Sequence, residues 1–242
     1  MHLSLCTISF RHHLTSIEQI ANWAQQQQFE GIELWGIHAL NLADQPQLNA
    51  QWLETFGLSV SMISDYLPLQ GSLQHAYQKV DDLCLLAQRW GSRKLRTFAG
   101  QKASEAINDE ERQHWTERLH LLAERSHQHG IRLLIETHPQ TLADSTTATL
   151  RLLKEVDHPA LAVNFDVLHL WEAGENPQES FIKLLPYVEH MHLKNILSGQ
   201  QLTVFAPANV YSPAGDRNGM VSLFDGAMDY RSFLQTLSGS FK

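Results

Sequence analysis

The run Ile131-Arg-Leu-Leu-Ile-Glu-Thr-His-Pro139 decides how the whole chain is read. Four nearly consecutive apolar residues end in Glu136 and His138, and a proline then stops the run. An apolar run closed by a breaker predicts a strand buried on both faces, the kind found in parallel sheets. Residues two apart on a strand share a side, so Glu136 and His138 are expected to face one way together. A carboxylate and an imidazole leaving a buried strand side by side are either a working pair or a structural salt bridge. Two repetitions of the pattern further along favour the working pair.

The first repetition is a predicted strand over 161–166, ending in Asp166 and followed by Val167-Leu-His169. The second is a strand over 188–193, reading Val-Glu-His-Met-His-Leu, followed by Lys194-Asn195. Earlier apolar runs predict strands over 3–8, 31–36, 58–63 and 94–98, the last carrying Arg96 near its end. Helical patterns separate them. One starts at a Thr15-Ser16-Ile17-Glu18 capping box; another spans 46–56 and closes at Gly57. A third covers 73–90, and a fourth runs from Asn108-Asp109 to His129. Later helices are expected from Asp144 or Ser145 to 156, from Pro177 to about 186, and over 229–237.

Seven strand-then-helix units indicate a parallel α/β architecture. A doubly wound sheet and a (β/α)8 TIM barrel compete for that pattern. The loop after the first strand has no Gly-x-Gly-x-x-Gly run, which removes the usual reason to choose the dinucleotide fold. Polar groups at the C-terminal ends of nearly every strand fit a barrel, whose site is built there. The reading is one TIM-barrel domain over 1–242. An eighth strand is missing from it, because the five residues after Leu237 are too few and too polar to supply one.

Composition narrows the function. The 242 residues are 43% hydrophobic and 18% charged, as in an ordinary soluble globular protein. A net charge of −8, with no visible Lys/Arg cluster, argues against nucleic acid as a partner. No apolar run approaches membrane-span length, and the N-terminus lacks a basic, then apolar, leader pattern. Cys6 and Cys84 read as buried free thiols, so a cytoplasmic location is expected. Fourteen histidines are many for this length and are compatible with a metal site.

In a barrel, three neighbouring strand ends would gather Glu136, His138, Asp166, His169, His192 and Lys194. Oxygen-rich donor sets with one imidazole suit Mg²⁺ or Mn²⁺, which assigns Glu136, Asp166 and His192 as ligands of a divalent ion. His190 shares a strand face with His192 and is the alternative ligand, while Asp166 could instead cap the following turn. His138, His169 and Lys194 are left for proton transfer and charge stabilisation. Arg96 could pair structurally with Asp65 or Glu33. The long segment 196–228, with Phe205, Tyr211 and four glycines, is expected to cover a ring-shaped substrate.

Longer runs carry a resemblance to a known family. Cys6-Thr-Ile-Ser-Phe-Arg-His12, Phe29-Glu-Gly-Ile-Glu-Leu-Trp-Gly36, Met62-Ile-Ser-Asp-Tyr66 and Arg96-Thr-Phe-Ala-Gly-Gln-Lys102 resemble the bacterial 3-dehydroshikimate dehydratases of petrobactin-type siderophore pathways. Glu136-Thr-His-Pro139, His169-Leu-Trp-Glu172, His192-Leu-Lys-Asn195 and Asn209-Val-Tyr-Ser-Pro-Ala-Gly215 extend the likeness over nearly the whole chain. These enzymes lie within the xylose isomerase-like barrel superfamily.

The resemblance implies Glu136, Asp166 and His192 as ligands of Mn²⁺ or Mg²⁺. It also implies a fourth ligand, a Glu on the eighth strand that this sequence does not contain. It places His138, His169, Lys194 and Arg96 around the substrate, with Tyr66, Phe205 and Tyr211 completing the pocket. The reaction it implies is conversion of 3-dehydroshikimate to 3,4-dihydroxybenzoate (protocatechuate) and water. His138 would be the base, Lys194 the oxyanion partner and Arg96 the carboxylate clamp, while His169 would orient the substrate or protonate the departing hydroxyl. A sugar isomerase or epimerase on the same scaffold, and a non-catalytic degenerate barrel, are the alternatives.

Overall fold

Strands and helices alternate along the chain because apolar runs alternate with capped amphipathic segments. The computed structural model describes residues 2–212 and 214–240. Its elements begin with β1 (Ser4–Cys6), α1 (Ile17–Gln26), β2 (Gly31–Trp35), α2 (Gly36–Asn41), α3 (Ala50–Glu54) and β3 (Ser59–Ser64). They continue with α4 (Leu73–Arg89), β4 (Lys94–Thr97), α5 (Asp109–Gln128), β5 (Arg132–Glu136), α6 (Thr146–Val156) and β6 (Leu161–Asp166). The last are α7 (Val167–Glu172), α8 (Pro177–Leu184), β7 (Val188–His192), β8 (Asn195–Ile196), α9 (Pro207–Val210), β9 (Met220–Val221) and α10 (Tyr230–Ser240). The first seven strands form one sheet in chain order. Among the described residues no eighth strand joins that sheet; β8 and β9 pair antiparallel with each other as a separate ribbon.

Several expected boundaries move. The first strand is only three residues long, since Thr7–Phe10 turns into a 3-10 helix. Ser16 rather than Thr15 caps α1, and its box partner is Gln19. The helix expected over 46–56 shrinks to Ala50–Glu54 behind an Asn49 cap, and α2 was not anticipated. The last helix runs three residues past Leu237, to Ser240. Of the five residues judged too polar for a strand, 241 and 242 lie outside the described residues. Segment 196–228 is not structureless: it holds β8, a 3-10 helix over Gly199–Phe205, α9 and β9.

The chain divides into two compact units. The first holds the residues up to Gly100, Ile107–Ile135 and Leu153–Ala162. Its strands bury both faces, as Leu133, Leu134 and Ile135 on β5 illustrate, all fully buried. Val80, Leu83 and Cys84 of α4 and Trp115, Leu119 and Leu122 of α5 are buried with them. Gly100, at φ +88°, leaves no room for a side chain: a Cβ there would fall 2.0 Å from the Trp115 ring. The second unit holds Gln101–Ala106, Glu136–Leu152 and the residues from Val163 onward. Its core is aromatic, with Phe165, Phe181 and Phe233 within 5.5–6.3 Å of one another and Tyr230 edge-on to Phe233. These rings back the end of β6, where Asp166 is.

Candidate active site

The second unit builds a polar cluster from the ends of three strands. Glu136, the last residue of β5, is 3% exposed, and Asp166, the last of β6, is fully buried. The register of β6 on β7 sets Asn164 opposite His190 and Asp166 opposite His192. His192 Nδ1 then lies 3.1 Å from Glu136 Oε1 and 3.7 Å from Asp166 Oδ2. His190 stands edge-on to His192 with ring centres 5.7 Å apart. The capping reading of Asp166 holds, and its two oxygens have different partners. Oδ1 caps α7 by accepting from the His169 N–H at 3.2 Å, and Oδ2 accepts from Lys194 Nζ at 2.7 Å.

His138 reaches the cluster by a different route from the one expected. The strand ends at Glu136, so strand alternation does not orient His138. A tight turn does: the His138 N–H donates to the Ala143 carbonyl, and the Thr141 hydroxyl donates to the His138 carbonyl. Thr137 ties the turn to β6 through the Asn164 carbonyl and the Asp166 N–H. The His138 ring packs 4.3 Å from the His169 ring, and its Nδ1 donates to the Pro139 carbonyl at 2.8 Å, leaving Nε2 as the lone pair. Lys194, beyond the end of β7, also donates to His169 Nε2 at 2.8 Å and sits 4.8 Å over the Phe205 ring. Phe205 is edge-on to His169 at 6.3 Å.

Burial and charge set the electrostatics. Burial, then the charge fields of His169 and Lys194, push the His138 pKa down to about 3. Burial alone would raise the pKa of Asp166, but Lys194, His169 and His192 outweigh it and hold the carboxyl well below its usual range. Burial pushes Tyr230 upward; its hydroxyl donates to the Lys194 carbonyl at 2.8 Å and so braces that backbone.

Glu136, Asp166 and His169 each offer a ligand atom within 4.8 Å of the others, and His192 touches both carboxylates. The Glu136 and Asp166 carboxylates and the His169 and His192 imidazoles gather beside the Lys194 ammonium. That donor set, hard oxygens with borderline nitrogens, fits a divalent ion.

Arg96 and Tyr66 belong to the first unit. The Arg96 guanidinium, 4% exposed, lies 5.1 Å from both the Tyr66 and Phe98 rings. Asp65, weighed as its structural partner, carries Lys79 at 3.0 Å. Tyr211, at the end of α9, is 42% exposed. Sequence reasoning gave no role to Asn164, buried with its amide 3.1 Å from His192, or to Glu172, 2.8 Å from His169 Nδ1. The spacing Asp166-x-x-His169-x-x-Glu172, one face of a helix, was the available signal for Glu172.

The chain belongs to the xylose isomerase-like TIM barrel family, whose model matches residues 21–240. Within it, the chain is 46% identical over 97% of its length to the 3-dehydroshikimate dehydratase of Bacillus anthracis, covering 86% of that enzyme. A crystal structure described as the probable 3-DHS dehydratase AsbF, involved in petrobactin synthesis in Bacillus anthracis, superposes with a TM-score of 0.94. It is 44% identical, and the match covers 99% of this chain and 90% of that one. The IOLI protein, solved with a zinc atom, matches at a TM-score of 0.76 but 14% identity, over 98% of this chain and 84% of its own; it shares the fold.

Proposed function

We propose that the chain is a hydro-lyase that dehydrates 3-dehydroshikimate to 3,4-dihydroxybenzoate with the help of Mn²⁺ or Mg²⁺. The observation that carries this reading is the gathering of Glu136, Asp166, His192, His138 and Lys194 in a chain 46% identical to an enzyme of that name. Glu136, Asp166 and His192 would hold the ion, with His169 beside them. When bound, the ion supplies Lewis acidity for the ring ketone.

The reaction removes a proton α to that ketone and expels the hydroxyl β to it. His138 is the base: its Nδ1 hydrogen is engaged by the Pro139 carbonyl, so the lone pair that takes the proton is the one on Nε2. Its low pKa keeps the imidazole neutral throughout the physiological range. The Lys194 ammonium stabilises the developing oxyanion through its charge and gives its one uncommitted hydrogen to the departing hydroxyl, which leaves as water. His169 orients that ammonium, and Phe205 walls its far side. Arg96, lying over the Tyr66 and Phe98 rings, would clamp the substrate carboxylate with its planar fork. Tyr211 would close the pocket. Enolisation of the remaining ketone then makes the ring aromatic and pulls the reaction forward.

By this reading the partner is a small cyclic acid, and the product would feed siderophore assembly. Neither Cys6 nor Cys84 is held in a disulfide, which suits a reducing cytoplasm. Among the described residues no helix is long and apolar enough to cross a membrane. The direct test is product analysis after incubation with 3-dehydroshikimate or, separately, with a ketose. The proposal expects the aromatic acid from the first and no isomerised sugar from the second. The reverse result would favour an isomerase.

A further inference from the structure

We propose that Glu172 is a positioning residue. It fixes His169 in the tautomer with hydrogen on Nδ1, so that Nε2 accepts from Lys194 and keeps that ammonium aimed into the site. Its role in turnover rests on the dehydration reading above; its effect on His169 does not.

Two neighbours require the same tautomer independently. Glu172 Oε2 lies 2.8 Å from His169 Nδ1, and a carboxylate can only accept, so Nδ1 carries hydrogen. Lys194 Nζ lies 2.8 Å from His169 Nε2, and an ammonium can only donate, so Nε2 presents its lone pair. A doubly protonated ring would set an N–H against the ammonium at that distance, two donors facing each other. With Asp166 accepting a second Lys194 hydrogen at 2.7 Å, one of the three ammonium hydrogens is left for a substrate oxygen. His169 Nε2 therefore cannot protonate the leaving hydroxyl while it accepts from Lys194, and the donor is Lys194.

The helix supplies the alignment. Asp166 caps α7, and His169 and Glu172 follow at intervals of three on the same face. His169 is 3% exposed, whereas Glu172 is 26% exposed, so the chain of contacts runs from solvent to the buried Asp166. An outer carboxylate that fixes the far nitrogen of a working imidazole typically matters by about 10–100-fold in activity or metal affinity.

The test combines nitrogen NMR of the ¹⁵N-histidine-labelled chain, with Mg²⁺ as the diamagnetic probe ion, and steady-state kinetics. The His169 signal is assigned by its absence in His169→Gln. The native chain should show His169 protonated on Nδ1 only. Glu172→Ala should lose that pattern and drop kcat about 10–100-fold at unchanged KM. Glu172→Gln, whose amide oxygen still accepts, should keep the pattern and most of kcat. A native His169 protonated on Nε2, or an Ala variant with an unaltered His169 pattern, would overturn the proposal. An altered pattern at full kcat would overturn the role in turnover. If the native chain does not act on 3-dehydroshikimate at all, the dehydration reading and that role both fall, while the NMR arm still decides what holds His169.

Discussion

At the residue scale, burial drives His138 and Asp166 in opposite directions, and neighbouring charges decide each outcome. His138 is kept neutral, while Asp166 is kept ionised, above all by Lys194, against the cost of its burial. Both have native pKa values below the unfolded ones, so both favour the folded state at higher pH. The His138 contribution is complete above about 6.5 and erodes as pH falls toward 3, at up to about 1.4 kcal/mol per pH unit. The Asp166 contribution starts to go as pH enters the ordinary carboxylate range and is lost on further acidification. Thermal melts should therefore show falling Tm from pH 7 to pH 4, with a shallower fall in His138→Gln; a flat profile would contradict the burial of a neutral imidazole. The catalytic role is separate. His138→Ala should lower kcat about 10²–10⁴-fold, and full turnover would remove it as the base. Arg96→Lys keeps the charge but loses the fork, so KM for the carboxylate substrate should rise about tenfold or more; an unchanged KM would reject the clamp.

At the element scale, caps and breakers do much of the specifying. Asn108 accepts from the Glu111 N–H and starts the twenty-residue α5, so Asn108→Ala should cost about 1 kcal/mol. In a chain of this size that shift lowers Tm by roughly 2–4 °C, readable by calorimetry, and no shift would mean the cap is replaced by water. Elements with strong caps and clear periodicity, such as α4 behind Ser72 and α5 behind Asn108, were legible within a residue. The second half of the first strand and the helix over 46–56 were not. Thr7 is drawn out of the sheet, its hydroxyl engaged by the Trp35 N–H and His38, a contact far away in sequence. The Arg89 side chain donates to the carbonyls of Leu42, Ala43 and Gln45, just before the expected helix, and to that of Leu48, inside its first turn, and the helix begins only at Ala50. The candidate site was legible where chemistry sits on a strand end, as with Glu136, Asp166 and His192. Glu172 was missed because a carboxylate at the end of a short helix looks like surface charge until the imidazole it meets is located.

At the scale of the whole molecule, an in-order parallel sheet explains why residues from distant parts of the sequence converge. Each strand delivers its last side chains to the same edge, and β5, β6 and β7 are consecutive there. That arrangement made the barrel family readable from strand-end residues before any contact was known. Among the described residues no eighth strand joins that sheet, and the buried carboxylates gathered at its edge, Glu136 and Asp166, come from β5 and β6. The account's central claim is that this cluster supports a metal-assisted dehydration. The most direct measurement follows the absorbance of the catechol product from 3-dehydroshikimate, with Mn²⁺ and separately with excess EDTA. The account predicts product with Mn²⁺ and its loss with EDTA. Absence of product from the folded chain with Mn²⁺, or equal rates in EDTA, would contradict it.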